Sequence, residues 1–341
     1  MIGLLMRELP RSQVHFQVLD STDEVKVNHT FNGPLLQVLE EIESRFKSRN
    51  EEKEVPVGFF RLPVPDYSMD GFREALNNAI LHRDYSRLAA VYCQWRPDHI
   101  LITSPGGFPE GITVSNLLVH EPNPRNLRLA DAFIRVGLVE QTGRGVDRIF
   151  MGQLKYGRPV PDYGRTDSTG VRVVLRGGAA SLEFAAFVYE LDKAGHPLSL
   201  DDLLILNTLY LEGRIDTETA RSLIQKEKGH ARMTLERLHE AGLVEARGGG
   251  RGRVYHLTAT LYRRFKGEAE YARAKGFEPH QQEQMILDYV KAHKKITRAQ
   301  AADLCQISSD QAFRLLKKIR EKFPQLKLEG SRRGAFYLWV E

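Results

Sequence analysis

Arg73-Glu74-Ala75-Leu76-Asn77-Asn78-Ala79 sets a carboxylate and a carboxamide, Glu74 and Asn78, four residues apart beside the apolar positions Phe72, Leu76, Ala79 and Ile80. That spacing predicts a helix starting near Ser68, with its apolar stripe buried and both polar groups on one face. Side chains so placed can point into one pocket. There Glu74 could orient and deprotonate a water, while the amide oxygen of Asn78 could hold Mg²⁺ against nucleotide phosphates. Taken alone, such a pair is more often a solvated helix face.

Upstream, Val14-His-Phe-Gln-Val-Leu19 predicts a strand, and residues 34–46 an amphipathic helix with apolar positions three and four apart. The charged run 47–54 predicts a loop, and Val57-Gly-Phe-Phe-Arg-Leu62 a second strand. Downstream come strands at 89–95 and 99–103, a Gly/Pro-rich loop at 104–111, helices around 127–136 and 145–152, and a strand at 170–176. Gly106 and Gly107 would let the loop backbone approach a flat ligand, or simply close a hairpin. Gln141-Thr-Gly-Arg-Gly145 opens a helix with Gly143 and Gly145, leaving backbone N–H groups and the helix dipole where a phosphate could sit.

Residues 73–85, the Ser104–Gly111 loop and the stretch from Arg125-Asn126 to Glu140-Gln-Thr-Gly-Arg-Gly-Val-Asp-Arg-Ile149 together resemble a divergent GHKL ATPase family, often labelled RecG-like or Schlafen-associated. The resemblance spans roughly residues 30–178 and implies an α/β sandwich that binds ATP and Mg²⁺. It makes Glu74 the water-activating base, Asn78 the Mg²⁺ ligand, Gly106 and Gly107 the nucleotide-contacting loop, and Gly143 and Gly145 the phosphate-binding turn. Most GHKL enzymes carry an Asp before the first glycine loop to receive the adenine amino group, whereas this chain has Ser104. Residues 1–33 resemble the last part of an Alba-type, Schlafen-related domain, which leaves the 14–19 strand without expected sheet partners.

The tail repeats one pattern, three short helices followed by two strands around a Gly/Arg turn. In the first copy 203–211, 217–225 and 230–241 are helical; in the second, 282–292, 297–305 and 309–323. Thr217 and Thr297 stand at N-cap positions, and only Thr297, with Gln300, completes a capping box. The order resembles the winged-helix superfamily, which implies double-stranded DNA as partner. The first copy would read it with His230, Arg232, Thr234 and Arg237 and a wing carrying Arg247, Arg251 and Arg253. The second would offer Gln311, Arg314, Lys317 and Lys318, with Arg332 and Arg333 in its wing. The alternative is a protein-interaction module whose basic residues are solvated.

Composition is consistent with this division. The expected class is α+β, with a remnant at 1–33, a nucleotide domain at 34–178, linkers at 179–200 and 263–280, and winged helices at 201–262 and 281–341. From residue 230 onward 22 basic residues face 13 acidic ones, a surplus suited to a polyanion. With only Cys93 and Cys305 and no apolar run of membrane length, a cytoplasmic, non-membrane protein is expected, without a disulfide framework. The expectation for function is a regulator, possible as a homodimer, whose ATP-binding domain biases a DNA-binding tail. A DNA-stimulated ATPase and a protein-interaction module in a defence or stress complex are the alternatives.

Overall fold

The computed structural model of the 341-residue chain describes residues 13–139, 144–178, 181–248, 253–266, 279–305, 309–330 and 335–340. It divides into two compact units, Met1–Thr258 and Ala259–Glu341.

The first unit is built on a five-stranded sheet in the order β2 (Val25–Phe31), β1 (Val14–Leu19), β5 (Val91–Trp95), β6 (His99–Pro105), β7 (Gly170–Arg176). β1 runs parallel to β5, and the other neighbours are antiparallel. Register places Phe16, Cys93, Ile102 and Val173 in one row across four strands, all buried. The alternate positions of β1 and β5 are polar: Gln94 Nε2 donates to Gln17 Oε1 at 2.8 Å, and His15 stacks on Tyr92. This period-2 division aims one sheet face at the helices. There Phe46 of α1 (Leu35–Arg49) stacks on Phe72 of α2 (Met69–Leu81) and packs against Trp95.

β1 thus corrects the expectation that the 14–19 strand lacks sheet partners. It is an inner strand, paired on one side with β2 and on the other with β5, so 14–31 belong to the same sheet as the glycine loop. The stretch 179–200, expected as a linker, also differs. It contains α5 (Leu182–Lys193), whose Ala185 and Ala186 pack on Val55 and Val64 of the hairpin formed by β3 (Glu52–Val57) and β4 (Phe60–Pro65).

α3 (Leu127–Arg135) and α4 (Gly145–Leu154) complete the layer, and α6 (Leu200–Glu212) follows α5. Leu203, Leu204, Ile205, Leu206 and Leu209 of α6 are all fully buried. A helix apolar on every side must be enclosed. α6 packs against α4 on one side and, on another, against α7 (Thr217–Ile224) and α8 (Lys228–Glu240), while Asn207 Nδ2 donates to Arg158 O at 3.0 Å. The first helical repeat therefore shares its core with the sheet domain.

That repeat is completed by a sheet ordered β8 (Ile215–Asp216), β10 (Val254–Leu257), β9 (Val244–Arg247). The second unit has α9 (Ala259–Lys266), α10 (Pro279–His293), α11 (Arg298–Cys305) and α12 (Ser309–Lys322), with a sheet ordered β11 (Lys295–Thr297), β13 (Phe336–Trp339), β12 (Leu326–Glu329). Both copies put the last strand in the middle. Thr297 makes the expected capping box: its hydroxyl accepts from the Gln300 amide at 3.2 Å while Gln300 Oε1 accepts from the Thr297 amide at 2.9 Å. Thr217 does not cap its helix. Asp216 does so, accepting from the Thr219 amide at 2.7 Å.

Candidate functional site

α2 is fixed at both ends before it presents anything to a ligand. Ser68 caps its start by accepting from the Gly71 amide at 3.3 Å. At the other end Arg125 Nε donates to His82 O at 2.9 Å, and Asn126 Nδ2 donates to Leu81 O and Arg83 O at 2.8 and 2.9 Å. These carbonyls have no partner further along the helix, so the two side chains supply one. Asn77 Nδ2 donates to Leu138 O at 2.9 Å, tying α2 to the segment after α3. In His82-Arg83-Asp84-Tyr85, Arg83 is buried, its guanidinium lies 4.8 Å from the Tyr85 ring centre, and Tyr85 donates to Ile80 O at 3.1 Å. Those residues close the helix end.

Beside α2 lie two cavities that share Asn78, His82, Ile112, Leu117 and Val146. One, of about 110 Å³, is walled largely by apolar side chains including Ala75, Ile102, Phe108 and Val173, with Ser104 and Tyr163. The other, of about 190 Å³, carries Glu74, His120, Glu121 and Asn123 among a majority of apolar residues such as Leu81, Ala130, Ile134 and Val139, with Gly145 also in its lining. Glu74 and Asn78 thus meet at one site, Asn78 at the junction and Glu74 in the larger of the two cavities. Glu74 is buried, and its carboxylate fills the place that a side chain at Gly145 would take. Gly145 is the first residue of α4, so a carboxylate rests at a helix N-terminus, the favourable end of the dipole. Burial pushes the Tyr163 phenol well above its ordinary range, and the charge of Glu74 adds to the effect. Two residues into α4, burial raises the Asp147 carboxyl against the pull of Arg144 and Lys226, with Asp201 adding to the rise.

Ser104 lies in the apolar cavity wall, buried, and its hydroxyl donates to Ala79 O at 2.6 Å. With its proton committed, the oxygen can only accept from a ligand, the sense required by an exocyclic amino group. Gly106 and Gly107 line neither cavity. A Cβ on Gly106, at φ +89°, would come within 2.6 Å of Asp84 Cβ, and one on Gly107 within 2.8 Å of Asp167 O. Their lack of side chains lets Gly106 pack on the Asp84 side chain and Gly107 on the backbone at Asp167. Gly143 lies outside the described residues. Tyr163, Ile112 and Leu117 also line these cavities, and the sequence does not single them out, since none stands in a motif with Glu74.

His82 touches both cavities, and burial, helped by Arg125, holds its imidazole down at about 4. Among the described residues its Nδ1 has no hydrogen-bond partner. In the unfolded chain the ring protonates near 6.5. Unfolded protein therefore binds the extra proton first as pH falls, and stability present above about 6.5 is lost down to about 4. The loss is at most about 3 kcal/mol. Denaturant melts of wild type and His82→Gln across this window should show the variant losing less; parallel curves would refute the neutral buried ring.

The candidate DNA residues divide between the units. On α8, His230 Nε2 and Lys226 Nζ in the preceding turn both meet Asp201 Oδ2, at 2.8 and 2.7 Å, and Arg237 Nη2 meets Asp202 Oδ1 at 2.6 Å. Both carboxylates are buried, so His230 and Arg237 are drawn toward α6 rather than standing unpaired. Thr234 is buried and donates to His230 O, which corrects its expected place on a reading face. Arg232 is exposed beside Glu236. Arg247 is exposed and pairs with Glu245, and Arg253 lies 5.1 Å from the Tyr255 ring centre. In the second unit Gln311, Arg314, Lys317 and Lys318 are all exposed on α12. Arg251, Arg332 and Arg333 lie outside the described residues. Among the described residues no helix is long and apolar enough to cross a membrane.

Comparison with known proteins bears on the sheet. Residues 90–175 match the family described as "Putative ATP-dependent DNA helicase recG C-terminal". The matched stretch runs from β5 to β7 and includes Ser104 and Gly145, while Glu74 and Asn78 precede it. No curated protein matches the chain. Among solved structures, the crystal structure of the DIP2311 protein from Corynebacterium diphtheriae is similar, at 27% identity and a TM-score of 0.63 over 73% of this chain. The chain spans 52% of that protein's length. The family match supports likeness to a GHKL-like, ATPase-like family, and with it nucleotide binding, for the segment carrying the glycine loop and the start of α4.

Proposed function

We propose that the protein is an ATP-binding and DNA-binding regulator, with a divergent GHKL-type domain acting on two winged helix-turn-helix units. The observation that carries the nucleotide half is the paired cavity, an apolar slot with Ser104 as acceptor beside a larger, more polar chamber with Glu74, Asn78 and the start of α4. A purine fits the first by burial and by its amino group, and phosphates fit the second by the helix N-terminus. Among the described residues no three His, Cys, Asp or Glu side chains cluster to hold a metal, so a single amide oxygen, Asn78, would hold Mg²⁺ together with phosphate and water. That shared coordination is usual for this hard cation, which would neutralise phosphate charge. Glu74 would orient the water and Ser104 and the apolar walls the base.

The DNA half rests on the repeated topology and on the exposed α12 face with Arg314, Lys317 and Lys318. A helix inserted in the major groove with a basic hairpin beside it would use those groups against phosphate and base edges. Titrating a labelled duplex with and without ATP and Mg²⁺ tests both halves. Reversing the wing charge, Arg247→Glu with Arg253→Glu, should weaken binding and flatten the salt dependence by about 0.9 in log–log slope for each phosphate that is no longer neutralised. Unchanged affinity and slope would remove the wing from the interface. The buried Glu74 carboxylate favours one second reading, a DNA-stimulated ATPase. Phosphate release with and without duplex separates it from a regulator that only binds.

A further inference from the structure

Gln225 ends α7 with a left-handed backbone, φ +57°, which side chains other than glycine rarely adopt. Its carboxamide grips one surface segment by both atoms: Oε1 accepts from the Leu118 amide at 2.8 Å, and Nε2 donates to Val114 O at 2.9 Å. That segment is not remote from the candidate ligand. Ile112 and Leu117 line both cavities beside α2, so the residue adjacent to each grip point or within the same turn is cavity wall. A strained residue persists where its surroundings over-determine it, and this double hydrogen bond is such a determinant.

The next residue makes a second connection. Lys226 pairs with buried Asp201, which also holds His230 in the first turn of α8. Lys226 and Asp201 both act electrostatically on Asp147, two residues after the Gly145 that Glu74 overlies. Ser115 and Val119 of the gripped segment face Lys226 and His230 across an open crevice. The turn between α7 and α8 is thereby tied through Gln225 to the segment that walls both cavities, and through Lys226 and Asp201 to α6 and to the start of α8.

We propose that the 112–120 segment is a ligand-operated clasp on the helix-turn-helix turn, with Gln225 as the positioning residue that converts filling of the cavities into a shift of α8. This rests on the nucleotide reading of the cavities. A ligand that enters the apolar slot must move Ile112 and Leu117 outward or draw them onto itself. Either movement changes the backbone that Gln225 holds, and only a ligand with different affinity for the two clasp states moves α8. The result is a coupling between cavity and DNA-reading helix, of the size that fixed contacts in other proteins carry, about 5- to 150-fold in affinity.

Hydrogen exchange on the full chain reads this directly, with a non-hydrolysable ATP analogue plus Mg²⁺ as probe and Gln225→Gly as variant. Glycine accepts the backbone angle and removes the amide, and Gln225→Asn, which keeps an amide on a shorter arm, serves as control. Without probe, Gln225→Gly should speed exchange of the Leu118 amide roughly fivefold, the loss of one net hydrogen bond. With probe, wild type should gain protection at 74–82 and change its exchange at 226–232. The variant should keep the first response and lose the second. Persistence of the 226–232 response in Gln225→Gly overturns the clasp, as does protection at 74–82 in wild type with no response at 226–232. Absence of protection at 74–82 in wild type overturns the nucleotide reading and the clasp with it, a result distinct from the other two.

Discussion

Glu74→Gln should lower ATP turnover by about 10²- to 10⁴-fold, the range for loss of one positioned general base, and leave nucleotide affinity within about twofold of wild type. Glutamine keeps the shape that rests over Gly145 and keeps an oxygen toward the start of α4, so the cavity is unchanged in volume. It cannot take a proton from water. The expected split is therefore a fall in turnover with little change in binding, the pattern of a group used only on the way to the transition state. Single-turnover phosphate release, read beside a titration with labelled nucleotide, measures the two separately. A variant that turns over at the wild-type rate would assign Glu74 to structure alone. If wild type binds without turnover, the carboxylate serves the fold in the manner that Gly145 already shows.

The Glu74/Asn78 pair was legible in the sequence because it obeys the period of one helix, and the structure brings both to the same cavity. Of the apolar positions Leu204, Ile205, Leu209, Leu223, Leu235 and Leu238, whose spacing marks them for the core, all are buried except Leu223, which is half-buried. What could not be read depends on long-range partners. The strand at 14–19 has the composition of a strand in any sheet, and only its parallel pairing with β5 shows which one. His230 and Arg237 look like solvent-facing polar side chains until Asp201 and Asp202, about thirty residues earlier, are placed beneath them. Helix α5 was missed because its alanines pack on a hairpin more than a hundred residues earlier. Gln225 carries no signal, since an isolated glutamine at a helix end fits many roles. A local pattern fixes which face is buried; it does not name what buries it.

Gly145→Ala should destabilise the first unit by about 1–3 kcal/mol, the usual cost of forcing an extra carbon into filled space. The clash is with a specific group, because the new Cβ would overlap the Glu74 carboxylate. Glu74 cannot easily turn away, being buried on a helix fixed at both ends by Ser68 and by Arg125 and Asn126. Shortening the partner should therefore restore stability. Glu74→Ala alone should cost up to about 2 kcal/mol, from loss of a carboxylate at a helix N-terminus, while Glu74→Ala with Gly145→Ala should be less destabilised than the sum of the single changes by about 1–3 kcal/mol. Trp95, in the sheet under α1 and α2, reports unfolding of this unit by fluorescence once the other tryptophan, Trp339, is replaced by Phe. Additive costs in urea melts would mean that Gly145 is required for its backbone and not for the carboxylate above it. A positive coupling would establish that the carboxylate and the start of α4 occupy one another's space, and that a phosphate arriving at this helix end must share it with Glu74 or displace it.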